Sequence, residues 1–343
     1  MTAAGYGASM PRRRLETLVV RLAGALPGSA ARRLAARDHP ELAPDLALLV
    51  RLVGWFGWPQ LDRLPAPLAR AEARHQAAVL AGRRLRTDLR RLRVPGPAGP
   101  LDARLYAAPG GGDALTVWLH GGGWVLGDLD GHDVFCRRLA RTSGAKVLAV
   151  AYRCAPEDPF PAAVDDAVAA VRWACEHAAA MGADPARVGV GGDSAGANLA
   201  AVAALTLRRR VAFQVLLYPI TDVSREHPSY AAAEDGPWLT AALMRWFRDH
   251  YLSGEDPSDA RVSPLLSDAA DLSGAPPAYV GIAGHDPLRD EGLAYAERLE
   301  QAGVVVRLDH FPAQMHGYVE LAGVSRSARA ATRAAADWIR DHH

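Results

Sequence analysis

Gly192-Asp193-Ser194-Ala195-Gly196 sets a serine between two glycines, each two residues away. A short apolar stretch, Val188-Gly189-Val190, precedes it and an alanine-rich stretch follows. The serine is therefore expected on a tight turn from a strand into a helix. Glycine on either side removes the Cβ atoms that would clash at so sharp a bend. The hydroxyl then projects into open space. The N–H groups just after it begin a helix, whose dipole favours a developing negative charge. A small-residue turn with no chemistry has the same pattern, so the pentapeptide needs support from elsewhere.

A serine hydroxyl is a weak nucleophile that needs an adjacent imidazole, itself oriented by a carboxylate. Asp286, in His285-Asp286-Pro287-Leu288-Arg289-Asp290, is the carboxylate candidate, directly after a strand expected to end at 281–282. Its ordinary alternative is to cap the helix that Pro287 begins, and Asp290, a turn inside that helix, is a rival. The base candidate is His316, in Gln314-Met315-His316-Gly317-Tyr318, after a strand expected at 304–308. His310 lies nearer that strand's end, and His285 is also close to the site loops. A third loop, His120-Gly121-Gly122-Gly123-Trp124, follows a strand expected at 115–119. Three consecutive glycines destabilise a loop unless the backbone itself is used. The N–H groups of Gly122 and Gly123, with that of Ala195, would form an oxyanion hole, with Gly121 as hinge and His120 as a brace. A phosphate-binding loop is the alternative, but G-x-G-x-x-G spacing and a P-loop lysine are both missing.

These groups require a scaffold that brings loop ends together. From about residue 85 an antiparallel hairpin is expected around Pro95-Gly96-Pro97, followed by apolar strands at 115–119, 146–152, 188–190, 213–218, 277–282 and 304–308, separated by helices. Near-continuous apolar strands fit a sheet covered on both faces, and strands alternating with helices argue for a mostly parallel one. Ligands then bind at the carboxyl ends of the strands. Residues 1 to about 80 show helical periodicity, with an aromatic cluster at Trp55, Phe56 and Trp58. The expected organisation is an N-terminal helical cap segment at 1–82, core at 83–221, a helical cap insertion at 222–258 and core again at 259–343. Trp124, Tyr218, Trp238 and Leu239 are expected to line a substrate pocket.

The bulk numbers set limits. The chain has 343 residues, 50% hydrophobic and 22% charged, with formal net charge +1, which gives no support for nucleic-acid binding. The charge is uneven: arginine clearly outnumbers acid up to about residue 93. A solvated helical face accounts for that, and a patch for an anionic surface is the less favoured reading. No apolar run is long enough to span a bilayer, and no stable membrane anchor is expected. Arg12-Arg13-Arg14 before Leu18-Val19-Val20 mimics an export signal, but Glu16 and Arg21 interrupt it, so an amphipathic helix is expected. Cys136, Cys154 and Cys175 show neither metal nor disulfide spacing, and a cytoplasmic setting follows as the default.

Taken together, the motifs resemble those of the bacterial hormone-sensitive-lipase-like carboxylesterases of the α/β-hydrolase superfamily. The matching pieces are His120-Gly121-Gly122-Gly123-Trp124 with Gly127-Asp128, Tyr152-Arg153 with Ala155-Pro156-Glu157, Pro159-Phe160-Pro161, Gly192 to Asn198, Ser263-Pro264-Leu265, Asp286 to Gly292, and Met315-His316-Gly317. The order Ser194, Asp286, His316 is that of the α/β-hydrolase scaffold. Cys154 stands where the family usually has leucine, and Asp158 where histidine is common. The resemblance implies an ester hydrolase with catalytic Ser194, Asp286 and His316 and oxyanion donors Gly122, Gly123 and Ala195. It also implies no metal or other cofactor, a small-molecule ester substrate with acyl chains of modest length, and a dimer built through the last strand and helix. Amide or lactone hydrolysis on the same scaffold is the neighbouring alternative. So is a binding protein without turnover, although the plant hormone receptor of this family lacks the histidine corresponding to His316.

Overall fold

The computed structural model describes residues 10–35 and 38–342, with the side chains of Met10 and Pro11 excepted. Residues 1–9 of the expected N-terminal segment lie outside the described residues. Eight strands form one sheet: β1 (Asp88–Gly96), β2 (Gly99–Ala107), β3 (Leu115–Leu119), β4 (Lys146–Val150), β5 (Val188–Asp193), β6 (Gln214–Leu217), β7 (Ala278–His285) and β8 (Val306–Met315). Their spatial order is β1-β2-β4-β3-β5-β6-β7-β8. The hairpin β1-β2 is antiparallel, β2 joins β4 antiparallel, and every pairing from β4 to β8 is parallel. The order doubles back at β3 and then advances through β5, so the ends of β3 and β5 lie side by side. The serine turn and the glycine loop grow from those two ends.

The central strands are largely apolar because both of their faces are covered. All five residues of β3 and all six of β5 are buried. The helix Ala195–Leu207 behind the serine is hydrophobic on all sides, and twelve of its thirteen residues are buried. On the other face, the helices Asp133–Ser143 and Arg326–Asp341 pack together beneath the sheet, contributing Phe135, Leu139, Trp338 and Ile339. Gly144, at φ 80°, ends the first of these, and Ser325 caps the second by accepting the Ala328 N–H.

The N-terminal part is helical, as Met10–Ala25, Gly28–Ala35, Pro44–Phe56 and Ala66–Leu80. Asp45 ties it to the C-terminal helix. Its carboxylate accepts the hydroxyls of Ser325 and Ser327 and the N–H groups of Arg326 and Ser327. Burial would raise the acid's pKa, but these donors hold it below the usual range. Two further helices, Pro228–Ala232 and Ala241–Leu252, interrupt the core rhythm. Among the described residues no helix is long and apolar enough to cross a membrane.

Of the boundaries that differ from the sequence expectation, three lie around Asp286 and His316. β8 runs to Met315 instead of ending at residue 308, because a bulge opposite Ala283 and His285 lets the strand resume pairing beyond Pro312. Proline is tolerated there because β8 is an edge strand. β7 likewise continues to His285, and the following helix starts at Arg289 instead of Pro287. The first two shifts bring the strand ends directly to Asp286 and His316.

Candidate active site

Ser194 sits at φ 55°, ψ −121°, a strained conformation for a residue with a side chain. Its neighbours hold it there. The Ser194 N–H donates to the Leu217 carbonyl at 2.9 Å, and the Ser194 carbonyl accepts the Asn198 N–H at 3.0 Å. Asn198 in turn donates its side-chain amide to the carbonyls of Ile220 and Val262. A Cβ at Gly196 would strike the Leu119 carbonyl, and one at Gly192 would strike the backbone of Gly196. The two glycines are therefore required by close backbone approach at the elbow.

Three groups from three strand ends meet. His316 Nε2 is 3.0 Å from Ser194 Oγ, and His316 Nδ1 is 2.8 Å from Asp286 Oδ2. With Nδ1–H donating to the carboxylate, Nε2 is left as the acceptor facing the serine. All three side chains are buried. The rivals are placed elsewhere. Asp290 accepts the Ser229 N–H and the Arg289 guanidinium. His310 lies within β8, paired across from Ile282, and His285 is paired with Met315.

The glycine loop lies against the same space. Gly122 at φ 117° and Gly123 at φ 58° are both in the left-handed region. A side chain on Gly123 would enter the ring of Phe247. Gly122 and Gly123 line a cavity of about 580 Å³ together with Ser194 and His316. Ala195 is the first residue of its helix, so its N–H lies at the positive end of the dipole. His120 braces the loop from beneath. Its Nδ1–H donates to the Gly121 carbonyl at 2.9 Å, its ring stacks on Tyr152, and its own carbonyl accepts the Tyr152 hydroxyl. Burial and the neighbouring His132 push the His120 pKa down to about 4, so it is neutral.

Of the four expected pocket residues, Tyr218, Trp238 and Leu239 line the cavity, joined by Val50, Val53, Trp58 and Phe247. Tyr218 also packs on His316, with ring centroids 4.5 Å apart. Trp124 does not line it. At φ 59° its indole turns away from the cavity and stacks flat on Tyr251, 4.2 Å between centroids and 6° between planes. It is a core residue anchoring the glycine loop, and the expectation that it touches substrate is corrected.

A polar cluster beneath the serine was not anticipated. Asp193 Oδ1 accepts the Trp118 indole N–H at 3.1 Å, and Oδ2 accepts His132 Nε2–H at 3.2 Å. Burial alone would lower the His132 pKa, but the Asp193 charge raises it to about 9, and the same pairing holds Asp193 low. Glu320 completes the group, with one ligand-type atom from each of the three residues within 4.8 Å of the others. Burial raises the Glu320 pKa and Asp193 adds to it, against the pull of His132. These residue types could ligate a metal; His132 and Asp193 are here paired directly with each other, Nε2–H to Oδ2 at 3.2 Å. The one signal available in the sequence was an acid, Asp193, immediately before the serine.

A family model described as alpha/beta hydrolase fold matches residues 116–320. The chain is 42% identical over 320 residues to a carboxylic ester hydrolase, LipN, of Mycobacterium tuberculosis, covering 89% of this chain and 84% of the relative. It is 40% identical over 304 residues to an ethyl acetate hydrolase of Pseudomonas putida, covering 84% of this chain and 95% of that one. The solved structure of a thermostable esterase from Pseudomonas putida superposes with a TM-score of 0.85 at 32% identity, covering 89% of this chain and 98% of the other. With several motifs in register and relatives aligned over most of their length, the chain belongs to the hormone-sensitive-lipase-like carboxylic ester hydrolases of the α/β-hydrolase fold.

Proposed function

We propose that the protein hydrolyses short- to medium-chain acyl esters through Ser194, His316 and Asp286 by way of an acyl-enzyme. The observation that carries this reading is the hydrogen-bonded line from Asp286 through His316 to Ser194, at 2.8 and 3.0 Å, open to a cavity at the strand ends. Ser194 Oγ attacks the ester carbonyl carbon as its proton passes to His316 Nε2. The carbonyl oxygen takes the negative charge and is held by the N–H groups of Gly122, Gly123 and Ala195. The C–O bond to the alcohol then breaks, and His316 returns the proton to the departing oxygen. Water, deprotonated by His316, attacks the acyl-serine, and the second collapse releases the carboxylic acid and restores Ser194. Throughout, Asp286 fixes the His316 tautomer and stabilises its imidazolium.

Pocket size supports acyl chains of modest length. A cavity of about 580 Å³ falls within the usual range for small-molecule sites, and Tyr218, Leu239 and Phe247 give it apolar walls. The test is release of p-nitrophenol from esters of increasing acyl length by wild type and Ser194→Ala. Turnover of the shorter esters by wild type alone supports the reading. Two folded, inactive proteins would replace it with a ligand-binding one.

A further inference from the structure

The helix Met10–Ala25 is packed on one side only. Glu16, Val20 and Ala23 are buried, and Glu16 anchors that side by accepting from His75 Nε2 at 2.8 Å and from Arg12 Nε at 2.9 Å. On the opposite side Leu15, Leu18 and Leu22 are 59%, 54% and 61% exposed. At about 100° per residue these three fall within an arc of about 60°, so they form one continuous apolar stripe. Isolated exposed leucines need no explanation, but a stripe on successive turns does. The Arg12 guanidinium also donates to the Phe56 carbonyl at 2.8 Å. That contact sets the start of the helix next to Trp55, which is 73% exposed.

The charges beside the stripe are of one sign. Arg14 and Arg21 flank one edge of the leucines and are exposed, as are Arg13 and, on the next helix, Arg33 beside the exposed Leu34. None of these four arginines has a carboxylate within ion-pair distance among the described residues, and Arg21 reaches only the Gly82 carbonyl. Up to residue 93 the sequence carries seventeen arginines against seven acids. Leucines on a solvent-facing stripe, edged by unpaired arginines, match the chemistry of an anionic bilayer surface: alkyl side chains enter the acyl boundary while guanidinium groups meet phosphate.

We infer that the helix Met10–Ala25 docks the protein on anionic lipid surfaces, with Leu15, Leu18 and Leu22 inserted and Arg14 and Arg21 paired to headgroups. The stripe and its arginines lie outside the catalytic line, so docking is independent of the esterase reading. The test is co-sedimentation with phosphatidylglycerol–phosphatidylcholine vesicles and with pure phosphatidylcholine vesicles at low and high salt. Two variants are compared with wild type: Leu15→Ser/Leu18→Ser/Leu22→Ser and Arg14→Glu/Arg21→Glu. All five positions are exposed, and unchanged circular dichroism and turnover of a soluble ester verify the fold. Wild type is expected to sediment with the anionic vesicles and to be released by salt, with the bound fraction falling about fivefold or more in each variant. Wild type left in the supernatant, or both variants binding as wild type does, overturns the proposal. So does size-exclusion evidence of a wild-type dimer that the serine variant dissociates, with no vesicle binding, since the stripe would then be covered by a second copy.

Discussion

The Asp286 carboxylate serves two elements at once: Oδ2 accepts His316 Nδ1–H and Oδ1 accepts the Leu288 N–H, each at 2.8 Å. The carboxylate thus shapes the turn after β7 and orients the His316 imidazole, so the local turn and the proposed chemistry share one side chain.

Asp286→Asn is expected to lower kcat by a factor on the order of ten thousand, because the amide can present its NH₂ to Nδ1 and select the wrong tautomer. Asp290→Asn, whose carboxylate points to Ser229, should stay within a few-fold of wild type. Steady-state hydrolysis of p-nitrophenyl butyrate compares the two, and the reverse ranking would transfer the role to Asp290.

Gly123→Ala adds a methyl at φ 58° where the Phe247 ring already sits. Displacing one of the proposed oxyanion donors is expected to cost roughly 100- to 1,000-fold in kcat with KM little changed. Adding Phe247→Ala relieves the clash and leaves the backbone strain, so the double variant should recover only part of the loss. A single variant within tenfold of wild type would remove Gly123 from the oxyanion site.

Stability should depend on pH through the pair beneath the serine. The folded His132 pKa is raised to about 9 from 6.5. Its contribution is therefore complete below pH 6.5 and is lost as pH rises through about 9. Asp193, held low, works from the other side: its contribution is present above about pH 3.8 and is lost as pH falls below it. Urea midpoints are expected to decline between pH 6.5 and 9. His132→Gln should flatten that decline and cost about 3–5 kcal/mol at pH 6, since it strands a buried carboxylate. A wild-type profile that is flat over this range would contradict the assignment.

Leu239→Trp should shorten the acyl chains accepted. Each methylene buried is worth about 0.8 kcal/mol, or roughly fourfold in kcat/KM. Wild type should gain at that rate per methylene until the cavity fills, and the variant should stop gaining earlier. Trp124→Phe should leave the chain-length profile unchanged, because its ring faces Tyr251. A profile shifted by Trp124→Phe alone would return Trp124 to the pocket.

Much of the candidate site was readable because the residues that meet there lie in local patterns. The serine elbow, the glycine loop and an acid and a histidine after successive strands can each be recognised within a few residues. What sequence could not settle was orientation. Trp124 sits beside the glycine loop in sequence, yet its left-handed backbone sends the ring into the core. His132 and Asp193 are 61 residues apart, and no local pattern joins them. Asp45 and Ser325 meet across 280 residues. The late ends of β7 and β8 were missed because pairing across the bulge, and not apolar periodicity, prolongs both strands.

His316 hangs from β8, which is bonded to the sheet on one side only, whereas Ser194 follows β5 in its middle. Ser194 is thus expected to sit on a region whose backbone amides exchange only on global unfolding, and His316 on one that can fray alone. Warming should extinguish turnover before the cooperative transition begins. Deuterium should enter the Val306–Met315 amides well ahead of those in Val188–Asp193. The working lifetime of such a catalyst is set by the attachment of its outermost strand, and cross-linking β8 to β7 would extend it without touching the centre of the molecule.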